Sequence, residues 1–425
     1  MRKPMVTDDK SKSPIYSRYR EDVRKEYEYC IASLKKREDY RKEFEPFLET
    51  LTMSCFPEKF LNEKLKRPCV GLYCVQAPLE LFDSLGFHPI RLCNASQIAQ
   101  RISSASIPVL TCPFIKSFLG SLYLGLSPVL ICDLLVIPTT CDWAVKLPRL
   151  IQDRDTPPIH CMDLPHGRHE ERGGTRWLEE IIELKKILQK ISGKRVNRKK
   201  LLQSIHTYTL AWNAFEKLID LKRTGTISGV WSIILANSFL LEPVEKWTEK
   251  INHIVLTSKR QKIEKPGVFL VGTPVYFPYV KIAKLIEEAG MFIAADDLCT
   301  SERIMKTPPA YNDLSEYGLL QGLAESHRLP CSCPTFLDYE QQIKNCITLM
   351  RKQNIKGVVY HILKGCHPFD IEVHAFEKAV KEQGFHFIKI ETDFSRVDSQ
   401  NISIRLEAFK ETLHNNREDY DSNWN

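Results

Sequence analysis

Three of the chain's 14 cysteines stand where chemistry is expected. Cys141 in LLVIPTTCDW, Cys299 in MFIAADDLCTSER and Cys366 in GVVYHILKGCHPFD each close an apolar run that reads as a β-strand. Each is followed by turn or helix-start residues. Ligands of open α/β sheets bind outside the carboxyl ends of parallel strands, so three thiols delivered there from distant parts of the chain can converge on one site. Three thiolates without a fourth suit a cluster that keeps one coordination position open. The ordinary role of a cysteine at a strand end is that of a small buried apolar residue, and spacing alone leaves both readings standing.

The elements that must position these thiols follow from the hydrophobic pattern. Residues 1–67 read as a charged helical arm or cap rather than a core. From Pro68 short β-rich runs (CVGLYCV, PIRLC, DLLVIP, PIHCMDL) alternate with helical ones, which is the pattern of a parallel α/β lobe over 68–165. Between 166 and 265 the strands disappear. Trp177, Leu178, Ile181, Leu184, Leu188 and Ile191 recur at helical spacing up to a stop at Gly193; a second helix opens after the N-cap Asn197 and runs to Gly225, and a third spans Trp231 to about Trp247. A second α/β lobe over 266–415 repeats the order strand, helix, glycine, strand through GVFLVG, MFIAADD, GVVYHILK and FHFIKIETD. A polar tail, 416–425, ends the chain.

At 425 residues the chain is too long for one ordinary core. Its 43% hydrophobic and 27% charged residues are those of a globular protein. The uncharged stretch between Lys116 and Asp133 is broken by Ser, Gly and Pro and falls short of the roughly 18 to 20 apolar residues that span a bilayer. The polar start MRKPMVTDDKSKSP lacks the apolar stretch of a secretory signal, so a cytoplasmic location is expected. In a reducing compartment so many cysteines point to metal ligation plus buried structural thiols rather than disulfides. The spacing excludes the C-x2-C-x2-C ferredoxin run and paired C-x2-C zinc knuckles. Neither a Walker A loop nor a GxGxxG turn after a strand is present, so no nucleotide site is expected in this chain.

Four segments carry a resemblance: PTTCD at 138–142, DDLCTSER at 296–303, KGCHPFDIE at 364–372 and IETDFSRVDSQNISIRLEAFKETL at 390–413. With GLYCVQAPLELFDSLGFHPIRLC at 71–93 they are similar, in order, to the 2-hydroxyacyl-CoA dehydratase and benzoyl-CoA reductase family. The resemblance runs from about residue 68 to 413 and is weakest in the helical middle. It implies an iron-sulfur subunit with two flavodoxin-like lobes and a cluster between them, held by Cys141, Cys299 and Cys366. It also implies an ATP-hydrolysing activator with its own 4Fe-4S cluster as electron donor. In the dehydratases of the family, one electron makes a ketyl radical of a CoA thioester, from which the 2-hydroxyl leaves.

Further cysteines resemble the family's double-cubane branch: Cys93 in RLCNAS, Cys112 in TCPFIKSFLG and Cys333 in CSCPTF, with Cys331 or Cys74 as substitutes. The function expected from this resemblance is a double-cubane reductase component acting on a small substrate, as a homodimer. Its rivals are a dehydratase or benzoyl-CoA reductase subunit, with one 4Fe-4S cluster and a homologous partner chain, and a cluster-bearing electron carrier. His367 and Glu372 are candidates to move protons, and Asp142 and Asp297 flank the cysteines as either helper groups or helix caps. Cys30, Cys55, Cys69, Cys132, Cys161 and Cys346 are assigned to structure.

Charge is concentrated in the helical middle. Residues 166–265 hold 20 Lys and Arg against 11 Asp and Glu, peaking at Lys194 to Lys200. Such a run either meets an acidic partner or a phosphorylated ligand such as coenzyme A, or is a solvated helix face. It is local and lacks stacking aromatics or zinc-finger spacing, so nucleic acid is not expected as a partner.

Overall fold

The alternating apolar runs form two four-stranded parallel sheets. A computed structural model describes residues 14–55, 67–152, 156–167, 171–259, 263–328, 333–337 and 339–414. Cys331 and the tail 416–425 lie outside the described residues. The first sheet contains β1 (Cys69–Leu72), β2 (His88–Arg91), β3 (Leu134–Pro138) and β4 (Ile159–Met162) in the order β2-β1-β3-β4. The second contains β5 (Gly267–Gly272), β6 (Phe292–Asp297), β7 (Gly357–Leu363) and β8 (His386–Thr392) in the order β6-β5-β7-β8.

The two orders are the same, and every pairing is parallel. Gly71 of β1 faces Ile90 on one side and Leu135 on the other, while Leu270 of β5 faces Asp296 and Val359. The inner strands β1, β3, β5 and β7 are buried along their whole length. This explains why they read as unbroken apolar runs: helices cover both faces of a parallel sheet. In each lobe the chain runs to one side of the first strand and then to the other, which opens a crevice at the strands' carboxyl ends. The expected α/β class and the two parallel-sheet lobes are present.

Between the sheets the chain is helical over Glu171–Ser192, Arg198–Arg223, Gly229–Asn237 and Val244–Thr257. Asn197 caps the second of these by accepting the Lys200 N–H at 3.2 Å. Gly193 and Gly225 have φ of 66° and 73°, the left-handed geometry that ends a helix. The single helix expected from Trp231 to Trp247 is two. Pro243, which would cost a hydrogen bond in a helix interior, stands at the N-cap of the second, and the chain turns at Ser238–Pro243 with Leu240 at φ 68°. Trp247 closes the corner, donating from Nε1 to the Leu235 carbonyl at 3.2 Å and to Ser238 Oγ at 3.1 Å. The basic run Lys194–Lys200 lies on an exposed turn and helix start.

The N-terminal segment is helical as expected, and its helices pack into the core. Helix Pro14–Lys35 buries Val23, Tyr27, Cys30 and Leu34, spaced along one face, and helix Glu45–Met53 buries Phe47, Leu48 and Leu51. These side chains belong to the main hydrophobic core, each contributing about 1.5 to 3 kcal/mol if fully removed from water. Phe44 stacks on Trp231 with ring centroids 4.5 Å apart. Glu26 reaches across to accept the Gln97 N–H at 2.7 Å at the start of helix Gln97–Ser103. Charged residues on the outer face hid this inner stripe. No helix among the described residues is long and apolar enough to cross a membrane.

Candidate functional site

Seven cysteines line one cavity of 140 Å³ where the carboxyl ends of the two sheets meet: Cys74, Cys93, Cys112, Cys141, Cys299, Cys333 and Cys366. They are also the only described cysteines that are partly exposed. Cys30, Cys55, Cys69, Cys132 and Cys346 are buried, as a structural role requires, whereas Cys161 is exposed on the edge strand β4 and packs no core.

Topology explains the convergence. Cys93 stands two residues beyond β2 and Cys299 two residues beyond β6, the second strand of each lobe. Cys141 and Cys366 stand three residues beyond β3 and β7, the third strand of each lobe. Cys112 lies in the connection between β2 and β3, and Cys333 in the connection between β6 and β7. Each lobe therefore supplies three thiols from matching places. Cys74, beyond β1, has no such counterpart, because Pro274 lines the cavity after β5.

Three of these residues are helix N-caps: Cys112 for Pro113–Tyr123, Cys141 for Asp142–Ile151 and Cys366 for His367–Glu382. The Ala144 N–H donates to Cys141 Sγ at 3.5 Å. Helix N-termini carry partial positive charge and favour thiolates. Burial opposes them: it pushes Cys112 up to about 12, with Cys141 adding to the effect and the Phe114 and Ile115 amides acting against it. Burial likewise raises Cys366, whose thiol neighbours are Cys112, Cys141 and Cys333. On the other side of the cavity burial pushes Cys74 up to about 11, and Cys299 is the thiol that adds to it. Without a bound cation or cluster these thiols are held protonated, so a metal would have to draw the protons off.

Two guanidinium groups line the same cavity. Arg91, the last residue of β2, donates from Nε to Cys93 Sγ at 3.0 Å and from a terminal nitrogen to the Cys299 carbonyl at 2.9 Å. Arg303 is locked to Asp297, with an ion pair at 2.8 Å and hydrogen bonds to its carbonyl at 2.9 and 3.1 Å. Leu92, Val75, Phe114 and Phe369 supply apolar wall. Neither His367 nor Glu372 lines the cavity, and His367 and Asp142 are exposed. Sequence reasoning passed over both arginines. The one available signal was a charged residue inside the apolar run PIRLC, two positions before Cys93.

The residues fit a polynuclear group better than a single ion. Among the described residues no three His, Cys, Asp or Glu side chains meet closely enough to hold one ion. The thiols instead surround a space, and the Thr111 hydroxyl and Trp143 indole N–H, beside Cys112 and Cys141, are buried without a hydrogen-bond partner.

Paired parallel-sheet lobes around a thiol-lined cavity define a two-lobed α/β protein with one cofactor-type site between its sheets. Comparison with known proteins makes this specific: residues 74–413 match the family model of the 2-hydroxyglutaryl-CoA dehydratase D-component, and the chain belongs to that family. The resemblance drawn from the motifs is confirmed. Relatives include the putative dehydratase subunit YjiM of Escherichia coli, 25% identical over 364 residues, covering 81% of this chain and 91% of that protein. The beta subunit of (R)-2-hydroxyglutaryl-CoA dehydratase from Acidaminococcus fermentans is 23% identical, covering 82% of this chain and 93% of its own. A benzoyl-CoA reductase subunit of Thauera aromatica is 22% identical, covering 72% and 80% respectively. The family is thus one of dehydratase and reductase subunits.

Proposed function

We propose that the chain is the iron-sulfur component of a low-potential reductase system, holding a double-cubane-type cluster and receiving electrons from an ATP-hydrolysing activator. The observation that carries this reading is the matched set of thiols: Cys93, Cys112 and Cys141 from one lobe, and Cys299, Cys333 and Cys366 from the other, around one cavity. Six thiolates exceed what one cubane with an open iron needs. An iron-sulfur cluster supplies one-electron transfer at low potential.

The chain's own residues do the rest. The cysteines would hold the cluster, three helix N-termini and Arg91 face its negative charge, and the Pro, Phe and Val wall excludes water. Val109, Leu110, Leu337 and Ile371 are 83%, 69%, 77% and 76% exposed on the loops and first helical turns that carry Cys112, Cys333 and Cys366. Apolar exposure of this kind suits a protein partner such as the activator or a second subunit.

A second reading, a dehydratase or benzoyl-CoA reductase subunit with one 4Fe-4S cluster and a CoA thioester substrate, is favoured by the cavity's size. At 140 Å³ it matches one small rigid guest, of the order of the cavities that take up benzene. Anaerobic iron and acid-labile sulfide analysis separates the two: about eight irons per chain for a double cubane and about four for a single one. A folded chain that holds no iron after anaerobic expression would refute both. CoA thioesters added to the loaded protein should perturb its visible spectrum only under the second reading.

A further inference from the structure

Arg91 is 3% exposed, and its guanidinium is spent on the site alone. Nε donates to Cys93 Sγ at 3.0 Å, and the two terminal nitrogens reach the Cys299 carbonyl at 2.9 Å and the Cys299 Sγ at 3.8 Å. Cys93 belongs to the first lobe and Cys299 to the second, so one planar fork ties the strand ends β2 and β6 together across the cavity. Among the described residues no carboxylate pairs with it. The cavity's other guanidinium, Arg303, is by contrast matched by Asp297 at 2.8 Å. A fully buried cation without a carboxylate is expensive, and the surroundings must offset it. The groups within its reach are the Cys93 and Cys299 sulfurs and the carbonyl of Cys299, with Tyr276 alongside. Its counter-charge is therefore the thiolate-bound group itself.

We propose that Arg91 is a positioning residue that places an unbalanced positive charge on the Cys93–Cys299 side of the cavity and thereby makes the bound cluster easier to reduce. The inference rests on the iron-sulfur reading of the site. On one-electron reduction the bound group gains one negative charge, with no bond broken and no proton required, and a fixed cation hydrogen-bonded to its sulfur ligands stabilises that product more than the oxidised state. The helix N-termini at Cys112, Cys141 and Cys366 supply partial charges to the other side of the cavity. Arg91 supplies a whole one.

The test uses the full chain expressed anaerobically as wild type, Arg91→Gln, Arg91→Met and Arg91→Lys. Iron and sulfide are counted first, and the one-electron midpoint is then titrated with titanium(III) citrate and followed by electron paramagnetic resonance. The neutral variants should show at least a tenfold fall in the equilibrium constant for reduction, which is about 59 mV downward for one electron. Arg91→Lys, which keeps the charge and loses the fork, should recover most of the shift. Two neutral variants are included so that misfolding of one does not decide the matter. Iron-loaded neutral variants that titrate with the wild type overturn the inference alone. So does an equal shift in Arg91→Lys and Arg91→Gln, which would mark a packing role. A wild type without iron overturns the reading of the site and the inference with it.

Discussion

Cys141 and Cys366 are equivalent residues of the two lobes: each stands three residues beyond the third strand of its sheet, and each is the N-cap of the helix that follows. Both strands are inner strands, paired on either side, so each thiol follows a strand held by two neighbours. Lining a single cavity together, they join two half-sites that neither lobe completes alone.

Replacing either of them should empty the site while sparing the fold. Cys141→Ala and Cys366→Ala are expected to lose most of the anaerobically bound iron, at a cost of about 1 kcal/mol or less in apoprotein stability, since only a small side chain is trimmed. Iron analysis beside a circular dichroism melt checks both halves of the statement. Cys346→Ala, in the buried core of the second lobe, should keep its iron.

Gly365 closes the contact between the lobes next to Cys366. Its φ is +82°, and a Cβ there would lie 2.1 Å from the Leu110 carbonyl oxygen, on the loop that leads to Cys112. Gly365→Ala is therefore both strained and obstructed, and should cost about 2 kcal/mol or more in urea unfolding. Iron content should fall with it, because the two cysteine loops can no longer close on each other.

Lys222 anchors the Cys299 loop to the helical insertion. Fully buried, it pairs with Asp296 at 2.7 Å and with Glu302, while Asp296 also accepts from Ser301 Oγ at 2.7 Å and from the Leu298 N–H at 3.2 Å. Lys222→Met leaves Asp296 without its cation and Glu302 with only Arg223, 3.8 Å away, and a loss of about 3 to 5 kcal/mol is expected. Denaturant unfolding measures it, and mutating Lys222 and Asp296 together should cost much less than the sum of the single changes.

His361 should make the protein sensitive to acid. Burial holds its imidazole neutral and pushes its pKa down to about 4 from the ordinary 6.5, with Thr273 Oγ at 3.0 Å and Tyr279 OH at 3.2 Å on its two nitrogens. Between pH 6.5 and 4 the unfolded chain takes a proton that the folded one refuses, so this contribution is full above 6.5, lost as pH falls toward 4 and unchanged below. Across that window His361→Gln should flatten the stability profile by up to about 1.4 kcal/mol per pH unit, about 3 kcal/mol in all. Urea midpoints over a pH series report the difference between the two proteins.

Local chemistry determined what could be read early. Unbroken apolar runs mark strands covered on both faces, Asn197, Gly193 and Gly225 mark helix ends, and Cys141, Cys299 and Cys366 mark strand termini, because caps, stops and burial act over a few residues. The family was legible for the same reason, as short segments in a set order. Where those segments meet was decided in three dimensions. The approach of the two lobes brings Cys93 to Cys299, and Cys112 and Cys333 to the walls of the same cavity. Long-range packing takes the N-terminal helices from a charged arm into the core, and Arg91 acquires its role only when the loop of the other lobe arrives at its guanidinium. Contacts between residues 208 positions apart leave no periodicity in the chain, since they depend on which strand ends the fold places side by side.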